Sequence, residues 1–335
     1  MRVSVLSMFL LLFAGQRRAA SFSARNLKRA KLEGVRPKAK QSLGQNFLVD
    51  TRLARRIAQS VVPCGEDGVR VLELGPGQGA ITGHLLERFP RMSAVEIDER
   101  MIEVLERDVP ALDLRHGDML QLDLASEAEA RGGRLSLVSN TPFYLTSPLL
   151  FKLCASVEHV ESAILTTQRE VAHKVLSPAG CKDYGILAVM LQLFGGPTHL
   201  FDLPPEAFSP APKVHSSVIQ LRPSATPPGE EAPLTPTQRA ALLGLLKVTF
   251  EQRRKMLRVS LKKLLETGAI DPPPDEMLTR RPEQLTPREW MELARACFGD
   301  DLGEGVTDEG SRPIHVLERH NINKAWKAHK SGYKD

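Results

Sequence analysis

Two periodicities alternate along the middle of the chain. Short apolar runs of strand composition stand at 69–74, 92–97, 112–115, 135–139 and 162–167, with a later pair at 198–201 and 216–221. Segments whose apolar residues recur every three to four positions lie at 50–62, 80–88 and 99–108. Short strands alternating with helices predict a parallel sheet covered on both faces, because each crossover lays a helix on the sheet. The pattern then breaks over 224–236, a Pro-rich stretch with Gly229 and the adjacent Glu230 and Glu231, which reads as a linker. Thr235 opens T-P-T-Q, a capping residue with Pro at the first helical position and Gln at the third. Leu242, Leu243, Leu246, Phe250, Leu257, Leu261, Leu264 and Leu265 continue it as one long helix, and T-P-R-E at 286–289 opens a last helix through Ala296. The expected division is a targeting leader over 1–36, an α/β domain over 37–223, the linker 224–236, a small helical domain over 237–299 and a polar, basic tail over 300–335.

A chain of 335 residues, 42% of them hydrophobic, buries a core without covalent staples. Cys64, Cys154, Cys181 and Cys297 lie far apart, with no C-x-x-C pair and no histidine at ligand spacing. That pattern argues against a disulfide scaffold and against a metal site. The formal charge of +5 changes meaning once it is located: the first 40 residues hold ten Lys/Arg against Glu33 alone, +9, and the other 295 hold 35 against 39 acids, −4. A nucleic-acid surface in the body therefore has to come from local clusters. The leader begins with Arg2 and the apolar run 3–13, too short to span a bilayer, and Ala19, Ala20 and Ser21 offer a cleavage point before Phe22. Basic, Ser-containing transit composition follows, so the whole resembles the two-part leaders of plastids of secondary origin. A mitochondrial presequence is the alternative. Either address predicts a mature form without stable membrane association, and nothing in the pattern asks for more than a monomer.

The strongest local signal is V-L-E-L-G-P-G-Q-G-A-I-T at 71–82. A buried strand enters a turn at Gly75, Gly77 and Gly79, whose missing side chains let a ligand reach the backbone at a helix N-terminus. Glu96, about 20 residues on at the end of the next strand, suits both hydroxyls of a ribose. The spacing G-x-G-x-G departs from the dinucleotide pattern G-x-G-x-x-G and tilts the choice from NAD to S-adenosylmethionine. Asp118, in H-G-D-M-L after the third strand, stands where it can accept from an adenine amino group or simply form a turn. S-N-T-P-F (139–143) follows the fourth strand and reaches the same sheet edge. An exocyclic aromatic amine is a poor nucleophile because its lone pair is delocalised. An Asn oxygen and a backbone carbonyl on a Pro-stiffened turn, Asn140, Thr141 and Pro142, accept its N–H groups and aim the lone pair, while Phe143 stacks on the base.

These segments, in this order, resemble the ribosomal RNA adenine dimethyltransferases. Q-S-L-G-Q-N-F-L (41–48), Q-R-E-V-A (168–172), Y-G-I-L-A-V (184–189), F-S-P-A-P-K-V (208–214) and F-E-Q-R-R-K-M-L-R (250–258) extend the match to nearly the whole mature chain. The resemblance implies an α/β fold: a Rossmann-like S-adenosylmethionine-dependent methyltransferase domain with a small helical C-terminal domain. It also implies dimethylation of two adjacent adenosines near the 3′ end of small-subunit rRNA, on a pre-small ribosomal subunit. By that resemblance Asn46 and Leu48 cover the cofactor, and Gly75, Gly77, Glu96, Asp118 and Asn140 contact it. Phe143 and Phe208 would hold a flipped adenine. Arg253, Arg254, Lys255 and Arg258, on one side of the long helix, and Lys213 beside the base pocket would meet phosphates. The family usually has Leu and Tyr where this chain has Thr141 and Phe143; Phe143 keeps the stacking face, and Thr141 bears on how many methyls are added. The alternative is a relative of the same fold that serves as an assembly factor or a mitochondrial transcription factor. A large-subunit methyltransferase of the antibiotic-resistance kind fits the Y-G-I-L-A-V and F-S-P-A-P-K-V segments less well.

Overall fold

The computed structural model describes residues 37–299, so the expected leader and tail lie outside the described residues. Strand β1 (Phe47–Leu48) leads into α1 (Thr51–Ser60), which Asp50 caps by accepting from the Arg52 and Leu53 amides. The chain then winds through β2 (Val71–Leu74), α2 (Thr82–Leu86), β3 (Ser93–Glu96), α3 (Glu99–Asp108), β4 (Asp113–His116), α4 (Leu124–Ala130), β5 (Leu135–Asn140), α5 (Thr146–Ala155) and β6 (Val160–Gln168). Asp98 and Asp123 cap α3 and α4 in the same way as Asp50, satisfying amides that a helix start leaves unpaired. After α6 (Arg169–Leu176) and α7 (Ile186–Phe194) come β7 (Thr198–Leu203), β8 (Phe208–Ser209) and β9 (Ser216–Leu221).

Seven of these strands form one sheet in the order β4-β3-β2-β5-β6-β9-β7. The first five are mutually parallel, and β9 runs antiparallel to both of its neighbours. The expectation of a wholly parallel sheet is thus corrected at one edge. No crossover helix separates β7 from β9, and such a link joins antiparallel neighbours. Successive strand residues enter opposite cores. Val71, Val138 and Ile164 pack with Ile57, Leu85 and Leu105 on one face; Leu72, Leu137 and Leu165 pack with Leu149, Val189 and Phe194 on the other.

The second core continues without a break into the C-terminal helices α8 (Pro236–Phe250), α9 (Leu257–Ser260), α10 (Lys262–Glu266), α11 (Asp275–Leu278) and α12 (Pro287–Phe298). Capping boxes at Thr235/Gln238 and Thr286/Glu289 start α8 and α12. Phe250 stacks on the buried Trp290 with ring centroids 5.7 Å apart. The single long helix expected across 237–265 is corrected here: α8 stops at Phe250, and a turn intervenes before α9. The Leu257 amide donates to the Arg280 carbonyl at 2.8 Å. That turn brings Leu257 and Leu261 into the core with Leu245 and Leu246, all fully buried. Among the described residues no helix is long and apolar enough to cross a membrane, and no group of His, Cys, Asp and Glu is placed to hold a metal ion.

Candidate active site

The strand order reverses direction between β2 and β5, so loops leaving their carboxyl ends diverge and leave a crevice. The crevice is an open cleft of about 860 Å³, solvent mouth included, lined by the Gly loop, the end of β3, the N-T-P-F turn and residues 43–48. Gly75, Gly77 and Gly79 all have positive φ, at 68°, 55° and 78°, a conformation that disfavours side chains. A Cβ on Gly77 would sit 3.2 Å from the Phe47 ring, which shows how closely residues 43–48 cover the loop.

Glu96 is buried and its carboxylate is already engaged: Oε2 accepts from the Gly77 amide, and Oε1 from the Ile97 and Asp98 amides, each at 2.9 Å. Burial pushes its carboxyl above the ordinary value, against the pull of those amides. It therefore organises the Gly loop as well as facing the cleft. Asp118 does not line the cleft; its Oδ1 accepts from the Leu120 amide at 2.8 Å, and its neighbour Met119 reaches the cleft wall instead. Asn140 ends β5 inside the cleft, with Thr141, Pro142 and Phe143 beside it. The Asn140 Nδ2 donates to the Asn46 carbonyl at 3.2 Å, and Oδ1 accepts no bond among the described residues. The Thr141 hydroxyl is buried without a partner. Phe208, in β8, lies opposite Leu48 of β1 and also lines the cleft. Thus Asn46, Leu48, Gly75, Gly77, Glu96, Asn140, Thr141, Pro142, Phe143 and Phe208 share one cleft, whereas Lys213 is exposed outside it.

Sequence reading passed over two residues. Glu73 lies in the middle of β2, fully buried beside Glu96, with Oε2 unpartnered, and burial pushes its carboxyl up to about 8. A lone acid in an apolar strand next to a Gly loop was the available signal. Ile97, just past Glu96, is 46% exposed and lines the cleft, an apolar face that hydropathy alone does not distinguish from core. Together these features suit an adenosyl sulfonium. The glycine loop admits a ligand to the backbone, Ile97 offers a flat apolar contact, and a cation compensates the buried Glu73.

The basic residues separate into two kinds. Arg253 has structural partners: its Nε pairs with Glu283 at 2.7 Å and its guanidinium also donates to the Cys181 carbonyl. It ties two loops together and is not on a helix. Arg254 and Lys255 share that turn and Arg258 lies in α9; all three are exposed and none makes an ion pair among the described residues.

A family model described as ribosomal RNA adenine dimethylase matches residues 36–289. The ribosomal RNA small subunit methyltransferase A of Salinibacter ruber is 42% identical over 256 residues, covering 76% of this chain and 84% of that protein. The protein of the same name from Leptothrix cholodnii is 37% identical over 262 residues, 77% of this chain and 91% of that one. A solved dimethyladenosine transferase from Plasmodium falciparum shares the fold with a TM-score of 0.59 at 22% identity, over 74% of this chain and 95% of that one. The 23S rRNA methyltransferase ErmE shares it at 0.51 and 24% identity, over 75% and 99%. With the family matched across most of its length and relatives this similar along nearly the whole of theirs, the chain belongs to the ribosomal RNA adenine dimethylases.

Proposed function

We propose that the protein transfers methyl groups from S-adenosylmethionine to N6 of two adjacent adenosines near the 3′ end of an organellar small-subunit rRNA, two to each, on a pre-small ribosomal subunit. The observation that carries this reading is the Asn140 carboxamide: its Nδ2 is committed to the Asn46 carbonyl, and Oδ1 is left as an acceptor between the Gly loop and the two phenylalanines. Bound in the cleft, S-adenosylmethionine supplies an electrophilic methyl on a sulfonium. Glu96 and the Gly loop hold the ribose side and Ile97 contacts the adenine, whose amino group reaches past the cleft lining to Asp118, to the carboxylate oxygen that the Leu120 amide leaves open. Leu48 and Asn46 close the cleft from above.

Phe143 and Phe208 grip the target base on its two faces. Oδ1 of Asn140 and a backbone carbonyl of the N-T-P-F turn accept the two N6 protons, which pulls the amine out of conjugation and turns its lone pair to the methyl. No strong base is required, because the nitrogen becomes acidic as the new bond forms. After one transfer a single N–H remains for the second round, and the buried Thr141 sets how well the methylated amine refits. Arg254, Lys255, Arg258 and Lys213 supply phosphate contacts around the cleft. The leader composition supports the organellar address, plastid before mitochondrion, and a fluorescent fusion of the full chain tests it.

The decisive experiment incubates the protein with labelled S-adenosylmethionine and small ribosomal subunits from a bacterial strain without its own dimethyltransferase, then analyses the rRNA by mass spectrometry. Dimethyladenosine at an adjacent pair near the 3′ end is the expected product. Subunit binding without transfer would move the reading to an assembly factor.

A further inference from the structure

Residues 37–48 form a strap across the cleft, fixed at several points. At its start the Gln78 Nε2 donates to the Pro37 carbonyl and the Arg100 Nη1 to the Lys38 carbonyl, both at 3.1 Å. At its end β1 pairs with β8. Between these, the Gln45 side chain bridges in two directions: Oε1 accepts from the Lys40 amide and Nε2 donates to Asp98 Oδ2, both at 2.8 Å. Asp98 is buried and held from the other side by Arg100, whose Nε and Nη2 meet Oδ1 and Oδ2 at 2.9 and 2.5 Å. The strap residue after Gln45 is Asn46, whose carbonyl takes the Asn140 Nδ2. The strap therefore joins the β3 edge of the cleft to the β5 edge.

A carboxamide has one accepting and one donating end, and rotating it by half a turn exchanges them. An Asn140 with its NH2 toward the substrate would present donors to an amine that also donates, and the lone pair could not be aimed. The Asn46 carbonyl prevents that rotation, since it pairs with the NH2 and would repel Oδ1.

We propose that Gln45 is a positioning residue of methyl transfer, holding the strap through Asp98 so that the Asn46 carbonyl keeps Asn140 Oδ1 as the acceptor for the target amine. The proposal rests on the function proposed above for its catalytic consequence, but the link from Gln45 to Asn140 stands on geometry alone. The Gln45 side chain bonds to the Lys40 amide, Asp98 and Arg100 and not to the Gly loop or the N-T-P-F turn, so its effect must pass along the strap.

The test uses the full chain and a 2 × 2 set: Gln45→Ala made in the native chain and in Asn140→Asp. A carboxylate offers the amine an acceptor whichever way it turns, and the Asn46 carbonyl repels it rather than orienting it, so loosening the strap there releases no orientation that transfer depends on. Gln45→Ala is expected to lower kcat roughly five- to tenfold in the native chain, the weight of about one hydrogen bond, and to leave kcat of Asn140→Asp unchanged. Equal losses in both backgrounds would overturn the proposal, because they mark a general structural effect. A second readout needs no turnover: the Asn140 side-chain amide, followed by NMR, is expected to shift and to exchange its protons faster in Gln45→Ala, with faster tryptic cleavage at Lys38 and Lys40. An unaltered Asn140 amide would also overturn it. If the native chain transfers no methyl while the amide responds, the positioning link stands and the reaction proposed above falls.

Discussion

The cleft and the C-terminal basic face hold their polar groups in opposite ways. In the cleft the reactive side chains are bound to backbone: Glu96 to three amides and Asn140 to a carbonyl. At the basic face Arg254, Lys255 and Arg258 are exposed and unpaired among the described residues, while their neighbour Arg253 is spent on Glu283 and Cys181. Transfer chemistry needs oriented groups, and orientation comes from fixed partners at fixed distances. Phosphate attraction is long-ranged and tolerant of geometry, so mobile charges suffice. Counting charges conflates Arg253 with its neighbours, and only the partner of each charge separates them.

The sharpest way to break this contrast is Asn140→Ala. Transfer is expected to fall by about three orders of magnitude, the scale of removing one oriented acceptor, while calorimetry still detects weakened S-adenosylmethionine binding. Unchanged turnover would remove Asn140 from the mechanism. Glu96→Gln is the next step down. Its amide turns a donor toward either the Gly77 N–H or the Ile97 and Asp98 N–H groups, so cofactor affinity is expected to drop about 100-fold and the fold to lose about 1–3 kcal/mol.

Glu73 sharpens the same region through pH. Its carboxyl titrates near 8 in the folded protein against 4.5 ordinarily. As pH rises through that window the unfolded chain ionises first and binds fewer protons, so stability falls with pH. Glu73→Gln is expected to raise the stability of the ligand-free protein at pH 8 by on the order of 2 kcal/mol or more and to change it little at pH 4. Denaturant melts at the two pH values read this directly, and equal shifts at both would mean the acid is ionised in place.

The basic face gives the smallest effect and the clearest internal control. Neutralising Arg254, Lys255 and Arg258 together is expected to weaken RNA binding and to reduce the slope of log affinity against log salt by about 2, near 0.7 per phosphate on single strands. Arg253→Ala is expected to leave that slope alone and to cost about 1 kcal/mol of stability by releasing Glu283. A slope that responds equally to Arg253 would erase the distinction between the two kinds of arginine.

Features carried by adjacent residues were readable from the chain. The strands at β2, β3 and β5, the caps at Thr235 and Thr286, and the glycine turn are local, because each depends on backbone geometry within a few positions. Helices α5 and α7 were not read as helices. T-S-P-L-L-F-K-L-C-A and I-L-A-V-M-L-Q-L-F are apolar nearly all round because the sheet covers one side and other helices the other, which removes the periodic signal. The turn after Phe250 was equally silent, since the leucine spacing continues through it and only the pairing of Leu257 with Arg280 marks the break.

Chain order sets which residue types reach the sheet edge and in what succession: glycines after β2, an acid at the end of β3, N-T-P-F from the end of β5. Tertiary structure alone decided which of them touch. Gln45 meets Asp98 across 53 positions, Asn46 meets Asn140 across 94, and Arg253 meets Glu283 across 30. The reason is physical: short-range preferences fix the backbone locally, whereas contacts between distant residues exist only after burial of both cores has set the distances between elements.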